Sequence, residues 1–136
     1  MAGTDRVKQK ISKRAADFIA TAPVPQEPVL GGAQVTSGLS GKWTWLSPGL
    51  RMLGRTYYLM LTEQHLLFCW ISAWTGRPRA VTMTVPRDQV QVEDFSLRGQ
   101  MGWIRCRVPD RQAPMTLRFF HFWRPEVETM LAALSR

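Results

Sequence analysis

From residue 55 to residue 122 the chain repeats one pattern: a short run rich in apolar and β-branched residues, then a turn. The runs cover 56–61, 66–74, 80–85, 90–97, 103–108 and 115–122. Between them stand Thr62-Glu63-Gln64-His65, Thr75-Gly76-Arg77-Pro78, Pro86, Arg98-Gly99-Gln100 and Pro109-Asp110-Arg111. Such punctuation stops strands and starts turns. Two further short strands are expected at 34–36 and 43–46, where glycines break the pattern often. Serial strands with short connections predict an antiparallel meander, closed into a barrel or folded into a sandwich. Pro125 then opens a helix at the position a helix tolerates best. Its stripe of Val127, Met130, Leu131 and Leu134 must cover something apolar, and an open barrel end meets that need.

The strands are preceded by a different kind of segment. Residues 4–20 read as an amphipathic helix with Thr4 as N-cap. Val7, Ile11, Ala15, Phe18 and Ile19 fill one arc of roughly 120°. Arg6, Lys10, Lys13 and Arg14 share another arc with Asp17. Pro23, Pro25 and Pro28 end the helix and stiffen the segment after it. The expected division is a basic amphipathic helix over 1–22, a Pro/Gly linker over 23–32 and a β domain over 33–136.

The whole chain has 136 residues, enough for one domain that folds without staples. Apolar residues at 45% and charged residues at 21% exclude a largely disordered chain. Two cysteines, Cys69 and Cys106, are too few for a disulfide scaffold or a thiolate zinc site. The net charge of +8 favours anionic partners: nucleic acid, an anionic membrane or an acidic protein patch. Residues 1–17 hold five bases and two acids, so they contribute +3 of it. No apolar run approaches the roughly twenty residues of a membrane span. Asp17 interrupts what would be the core of a signal peptide. A cytoplasmic protein with reduced cysteines is expected, with peripheral membrane attachment as the alternative.

The stretch from Tyr57 to Leu67, with Leu61-Thr62-Glu63-Gln64-His65-Leu66-Leu67 at its centre, resembles a hairpin of bacterial pleckstrin-homology-like domains. Val85-Pro86-Arg87-Asp88-Gln89-Val90 resembles their step between strands, and residues 125–135 resemble their closing helix. The resemblance spans roughly residues 33–136. It implies a strongly bent sheet of about seven antiparallel strands capped by one helix. It also implies a binding or assembly module and no enzyme. Phosphoinositide-binding members of the wider superfamily carry a base, a gap, then two bases one residue apart. Lys42 and Arg51 have a suitable gap, but Leu53 stands where the next base belongs and Arg55 comes two positions late. The lipid headgroup site is therefore not expected.

Strand parity points to a covered surface. In the run 66–74 both faces are apolar: Leu66, Phe68, Trp70 and Trp74 on one, Leu67, Cys69, Ile71 and Ala73 on the other. Ile104, Cys106 and Val108 read as core, which turns Trp103, Arg105, Arg107, Arg118, Phe120 and Phe122 outward. A barrel buries only one face of its strands, so the N-terminal helix, a second subunit or a ligand is expected to cover the other. Val7, Ile11, Phe18 and Ile19 are the candidate docking contacts, with Trp70, Trp74, Phe120 and Phe122 as the apolar surface that they or a partner cover. Arg6, Lys10, Lys13, Arg14, Arg105 and Arg107 are the candidate anion contacts.

Catalytic signs are sparse. His65 and His121 fall in no metal-ligand pair and in no nucleophile arrangement. Glu93-Asp94 and Glu126/Glu128 are close acidic pairs, but the latter suits a helix N-terminus. No catalytic residue, metal or cofactor is expected. The expected function is a scaffold or adaptor that binds a protein partner or itself. The alternatives are a peripheral membrane adaptor acting through the basic helix and a single-stranded nucleic-acid binder.

Overall fold

The computed structural model describes residues 2–37, 55–72, 75, 77–109 and 114–135, with only the backbone for residues 2–5 and 55. The expected strand at 43–46, and Lys42, Arg51 and Trp74, lie outside the described residues.

The chain is mainly β, with a helix at each end. Helix α1 (Ala2–Thr21) comes first. The strands are β1 (Val29–Ser37), β2 (Arg55–Thr62), β3 (His65–Ile71), β4 (Pro78–Pro86), β5 (Gln91–Ser96), β6 (Met101–Arg107) and β7 (Met115–Phe120). Helix α2 (Arg124–Leu134) closes the order. All seven strands are antiparallel in one open sheet, ordered β4-β3-β2-β1-β7-β6-β5. The first strand thus sits between the second and the last. The β1–β7 ladder is short, pairing Thr36 with Arg118 and Ser37 with Leu117.

One face of the sheet is the core. Leu59, Leu61, Leu66, Phe68, Ile104, Leu117 and Phe119 belong to a single buried cluster that spans both halves of the sheet. Tyr57 meets Phe68 edge-on at 5.9 Å. Helix α2 adds Val127, Met130 and Ala133 to this cluster. Leu131 and Leu134, read as part of its stripe, are half-buried beside Val92 and Phe95. The step from β4 to β5 is a 3-10 turn (Arg87–Gln89) whose arginine reaches over to α2. Arg87 donates to the carbonyl of Ala133, capping the C-terminal end of α2.

Most element ends shift by one to three residues from those expected, Pro86 falling inside β4, and two shifts bear on the packing. Strand β1 takes in Val29–Gly32, which the sequence places in a linker. Gly32 is paired with Met60, and a Cβ there would strike the Tyr58 ring. The glycine that reads as a breaker is what lets that ring cross the strand. At the other end, Phe122 is not in a strand. Residues His121–Trp123 form a 3-10 turn that brings the Trp123 side chain to 1% exposure.

A polar cluster ties the segment after α1 to the β2–β3 turn. The Thr62 hydroxyl donates to Glu27 Oε1 at 2.6 Å, and His65 Nδ1 lies 2.9 Å from the same oxygen. Thr62 is buried, so its hydroxyl requires a partner. The Thr62 hydrogen bond first, and the His65 hydrogen bond second, hold the Glu27 carboxyl below its ordinary 4.5. A lowered folded-state value contributes stability in full above the unfolded value and loses it as pH falls through the folded one. Glu27→Gln is therefore expected to lower the melting temperature at neutral pH. The gap between the two proteins should narrow as pH drops below about 4.5, which thermal melts across pH will measure.

Candidate interaction surface

The outer face of the sheet is divided in two, and α1 makes the division. Tyr58 and Cys69 are register partners on β2 and β3, as are Met60 and Leu67. Alternation puts these four on the face opposite Leu59 and Phe68. All four are buried. Helix α1 covers them. The Tyr58 hydroxyl donates to Ser12 Oγ at 3.0 Å. Further along the helix, Phe18 borders β4 beside Val81 and Met83. Ala15 and Ile19 are 0% and 4% exposed, and Ile11 and Phe18 pack against the same core. Val7, one turn earlier, stays 52% exposed. Burial pushes the Tyr58 phenol up, and it pushes the Cys69 thiol up to about 11.

Trp70 is not under this helix. It pairs with Tyr57 and alternates with Cys69, so it points to the α2 side of the sheet, where it is half-buried. Tyr58, Met60, Leu67 and Cys69 hold the place under α1 that sequence parity assigns to Trp70.

The first half of α1 is latched by a residue absent from the expected sites. Lys8 Nζ donates to the Phe122 carbonyl and to Glu126 Oε1, both at 2.8 Å. The same ammonium sits 5.7 Å from the centre of the Trp123 ring. Trp123 also meets Tyr58 edge-on at 6.3 Å. One indole thus touches α1, the sheet and the entry to α2. The sequence does hold a signal for Lys8: it precedes Ile11, Ser12 and Ala15 by three, four and seven residues, which places it on the docked face. Arg6, Lys10 and Lys13 are exposed and Arg14 is half-exposed, with Asp17 exposed among them. They form a basic ridge on the outside of the docked helix.

Beyond α1, the outer face of β6 and β7 is open. Helix α1, one of the covers expected, stops short of these strands and leaves Met101, Arg105, Arg118 and Phe120 exposed. Three cross-strand pairs line it: Arg105 with Thr116, Trp103 with Arg118, and Met101 with Phe120. Met101 and Phe120 are 46% and 51% exposed. Phe120 stacks on Phe122 at 5.7 Å with an 8° interplanar angle. The Arg105 guanidinium lies 5.5 Å from the Trp103 ring centre, a cation–π contact. Arg107 is engaged with Glu93 at 2.7 Å. Arg105 and Arg118 have no ion pair among the described residues. The border near Phe120 is fixed by His121 N–H donating to the Gln100 carbonyl at 2.9 Å and by Arg124 donating to the Gly99 carbonyl at 3.3 Å. Gly99, at φ +79°, takes a turn conformation that disfavours side chains.

Of the expected contacts, the fold therefore gathers Ile11, Phe18 and Ile19 on the docked face of α1 and Arg105, Phe120 and Phe122 on or beside the open face. It holds Arg6, Lys10, Lys13 and Arg14 on a separate ridge. No helix among the described residues is long and apolar enough to cross a membrane. No cluster of three metal-ligating side chains occurs among them either. Neither the known protein-family models nor the curated proteins include a match to this chain.

Proposed function

We propose that this chain is a non-enzymatic interaction module of the pleckstrin-homology-like kind, an adaptor that docks an acidic protein segment on the open outer face of β6 and β7. The seven-stranded sheet with one closing helix supports the family reading. One observation carries the functional reading: α1 shields the apolar outer face of β1–β4, while the neighbouring aromatic and arginine side chains stay in water. A patch of exposed aromatics with arginines is the composition of an interface core.

Charge selects the partner. Arg105 and Arg118 lack carboxylates of their own among the described residues, so an acidic segment supplies what the surface lacks. A symmetric dimer through this face would set the same arginines against each other. Single-stranded nucleic acid needs free ring faces for its bases. Here Phe120 and Phe122 already stack on one another, and Arg105 occupies a face of Trp103. Two buried cysteines outside any disulfide, on opposite faces of the sheet, suit a reducing compartment, the cytoplasm.

The test is a titration of a fluorescein-labelled peptide of glutamate, leucine and phenylalanine, with a lysine-for-glutamate peptide and an oligo-dT strand alongside. The acidic peptide is expected to bind, more weakly as salt rises, and the basic peptide not to bind. Oligo-dT binding tighter than the acidic peptide, or no acidic binding at low salt, would overturn the reading.

A further inference from the structure

We propose that copies of this chain join head to tail, the β4 edge of one running parallel to the β5 edge of the next. Among the described residues, β4 pairs only with β3 and β5 only with β6. Each therefore presents one row of backbone groups to another strand. The two edges differ in charge. Strand β4 carries Arg79, with Arg77 just before it and Arg87 just after it. Strand β5 carries Glu93 and Asp94. Pairing β4 with β4, or β5 with β5, brings like charges together, whereas β4 against β5 brings unlike charges together. One chain holds both complementary edges, so the occupant is a second copy. The contact is heterologous, not a two-fold dimer.

The helices fix the direction. Helix α1 lies over the outer face next to β4, where Phe18 borders Val81 and Met83. Helix α2 lies on the core face next to β5, with Leu131 and Leu134 beside Val92 and Phe95. With the faces of neighbouring copies matched, these helices stand on opposite sides of the junction. With one copy turned over, they would meet on the same side. Every neighbouring pair in the sheet is antiparallel, so β4 and β5, an even number of steps apart, run the same way. Matched faces thus make the junction parallel. Glu93 is already paired with Arg107, which leaves Asp94 as the acid on offer. Asp94 pairs with Arg105 on the outer face, and alternation from Ala80 puts Arg79 on the outer face too. Setting Arg79 beside Asp94 brings Phe95 over Ala80. Phe95 is 48% exposed, and Ala80 is the register partner of the half-buried Trp70. The phenyl ring thereby gains apolar cover on the core face. The Phe95 N–H donates to Asp94 Oδ1 at 2.8 Å, an exposed bond that a neighbouring strand can exchange. Register shifts in β4 and β5 shorten the stretch that pairs, so the assembly is expected to be reversible. This inference stands apart from the acidic-partner reading, since it uses the edges of the sheet and leaves the outer face of β6 and β7 free.

The experiment is sedimentation velocity of the full chain from about 5 to about 500 μM at low salt, with a thermal melt of every variant. The wild-type mass is expected to climb with concentration from one copy to beyond two. Arg79→Glu and Asp94→Arg change exposed positions and should leave the melts nearly unchanged. Each alone is expected to raise the concentration needed for assembly at least roughly tenfold. An equimolar mixture of the two is expected to regain assembly, because each then offers the edge that the other lacks. A wild-type chain that stays a single copy at about 500 μM would overturn the proposal. So would a mass that stops at a closed dimer, assembly that neither change weakens, or a mixture no more assembled than its two components.

Discussion

Charge reversal at two surface positions, Arg105→Glu with Arg118→Glu, is expected to weaken acidic-peptide binding roughly 10- to 100-fold at low salt while leaving the melting temperature nearly unchanged. Both guanidinium groups sit on exposed outer positions of β6 and β7, and neither has an ion-pair partner among the described residues. Their removal therefore breaks no structural ion pair described there. Arg105 does lose its place over Trp103, a contact worth about 0.5–1 kcal/mol at an exposed site. The loss of binding should come mainly through the association rate, and it should shrink as added salt screens the surface. Arg107→Glu is the comparison. It breaks the ion pair with Glu93 and places two carboxylates together, so it tests a base already in use. If Arg107→Glu and the double reversal weaken binding equally, general positive charge, not the open face, attracts the peptide.

Trp123→Ala is expected to have the largest effect on folding, a loss of about 3–5 kcal/mol in unfolding free energy. The side chain is 1% exposed and sits where three elements meet. Its ring touches Tyr58 from the sheet, Phe122 from the turn and the Lys8 ammonium from α1. Removing the ring leaves a void under the first half of α1 and takes away the aromatic surface beside the Lys8 ammonium. Chemical denaturation will measure the loss, and proteolysis near residue 8 should speed up before global unfolding. Trp123→Phe is expected to cost much less. The indole N–H makes no hydrogen bond within the described structure, so the ring carries the contribution. Equal losses for the two variants would show that a phenyl ring cannot replace the packing of the indole at this junction.

Elements with a local period are legible in the sequence, and contacts across the chain are not. The helix 4–20 and the serial strands stand out because side chains repeat every 3.6 or 2 residues. The double-sided burial of β3 is readable for the same reason: Leu66 to Ile71 leave no polar alternation. Parity alone fails to tell which face a cover takes, and so it offers Trp70 to α1 where the structure has Cys69. The Lys8–Glu126 pair joins residues 118 apart, and the Glu27–Thr62 bond joins residues 35 apart. No local window contains either partner set. Val29–Gly32 stays hidden because glycine's usual meaning, a break, is reversed where a tyrosine ring needs the space. The open face is half legible. Parity names its residues, but where α1 stops and leaves them open is a property of the assembled sheet.

The latch between Lys8 and the Trp123–Glu126 platform also sets an order of events during synthesis. Helix α1 leaves the ribosome first, yet the surface it grips at that end is made 114–118 residues later. Strand β1 likewise waits for β7 to flank it. Until the last strand and helix emerge, the Lys8 end of α1 has no platform to grip and β1 lacks one of its two neighbours. Such a chain is slow to complete and exposed to association while it waits.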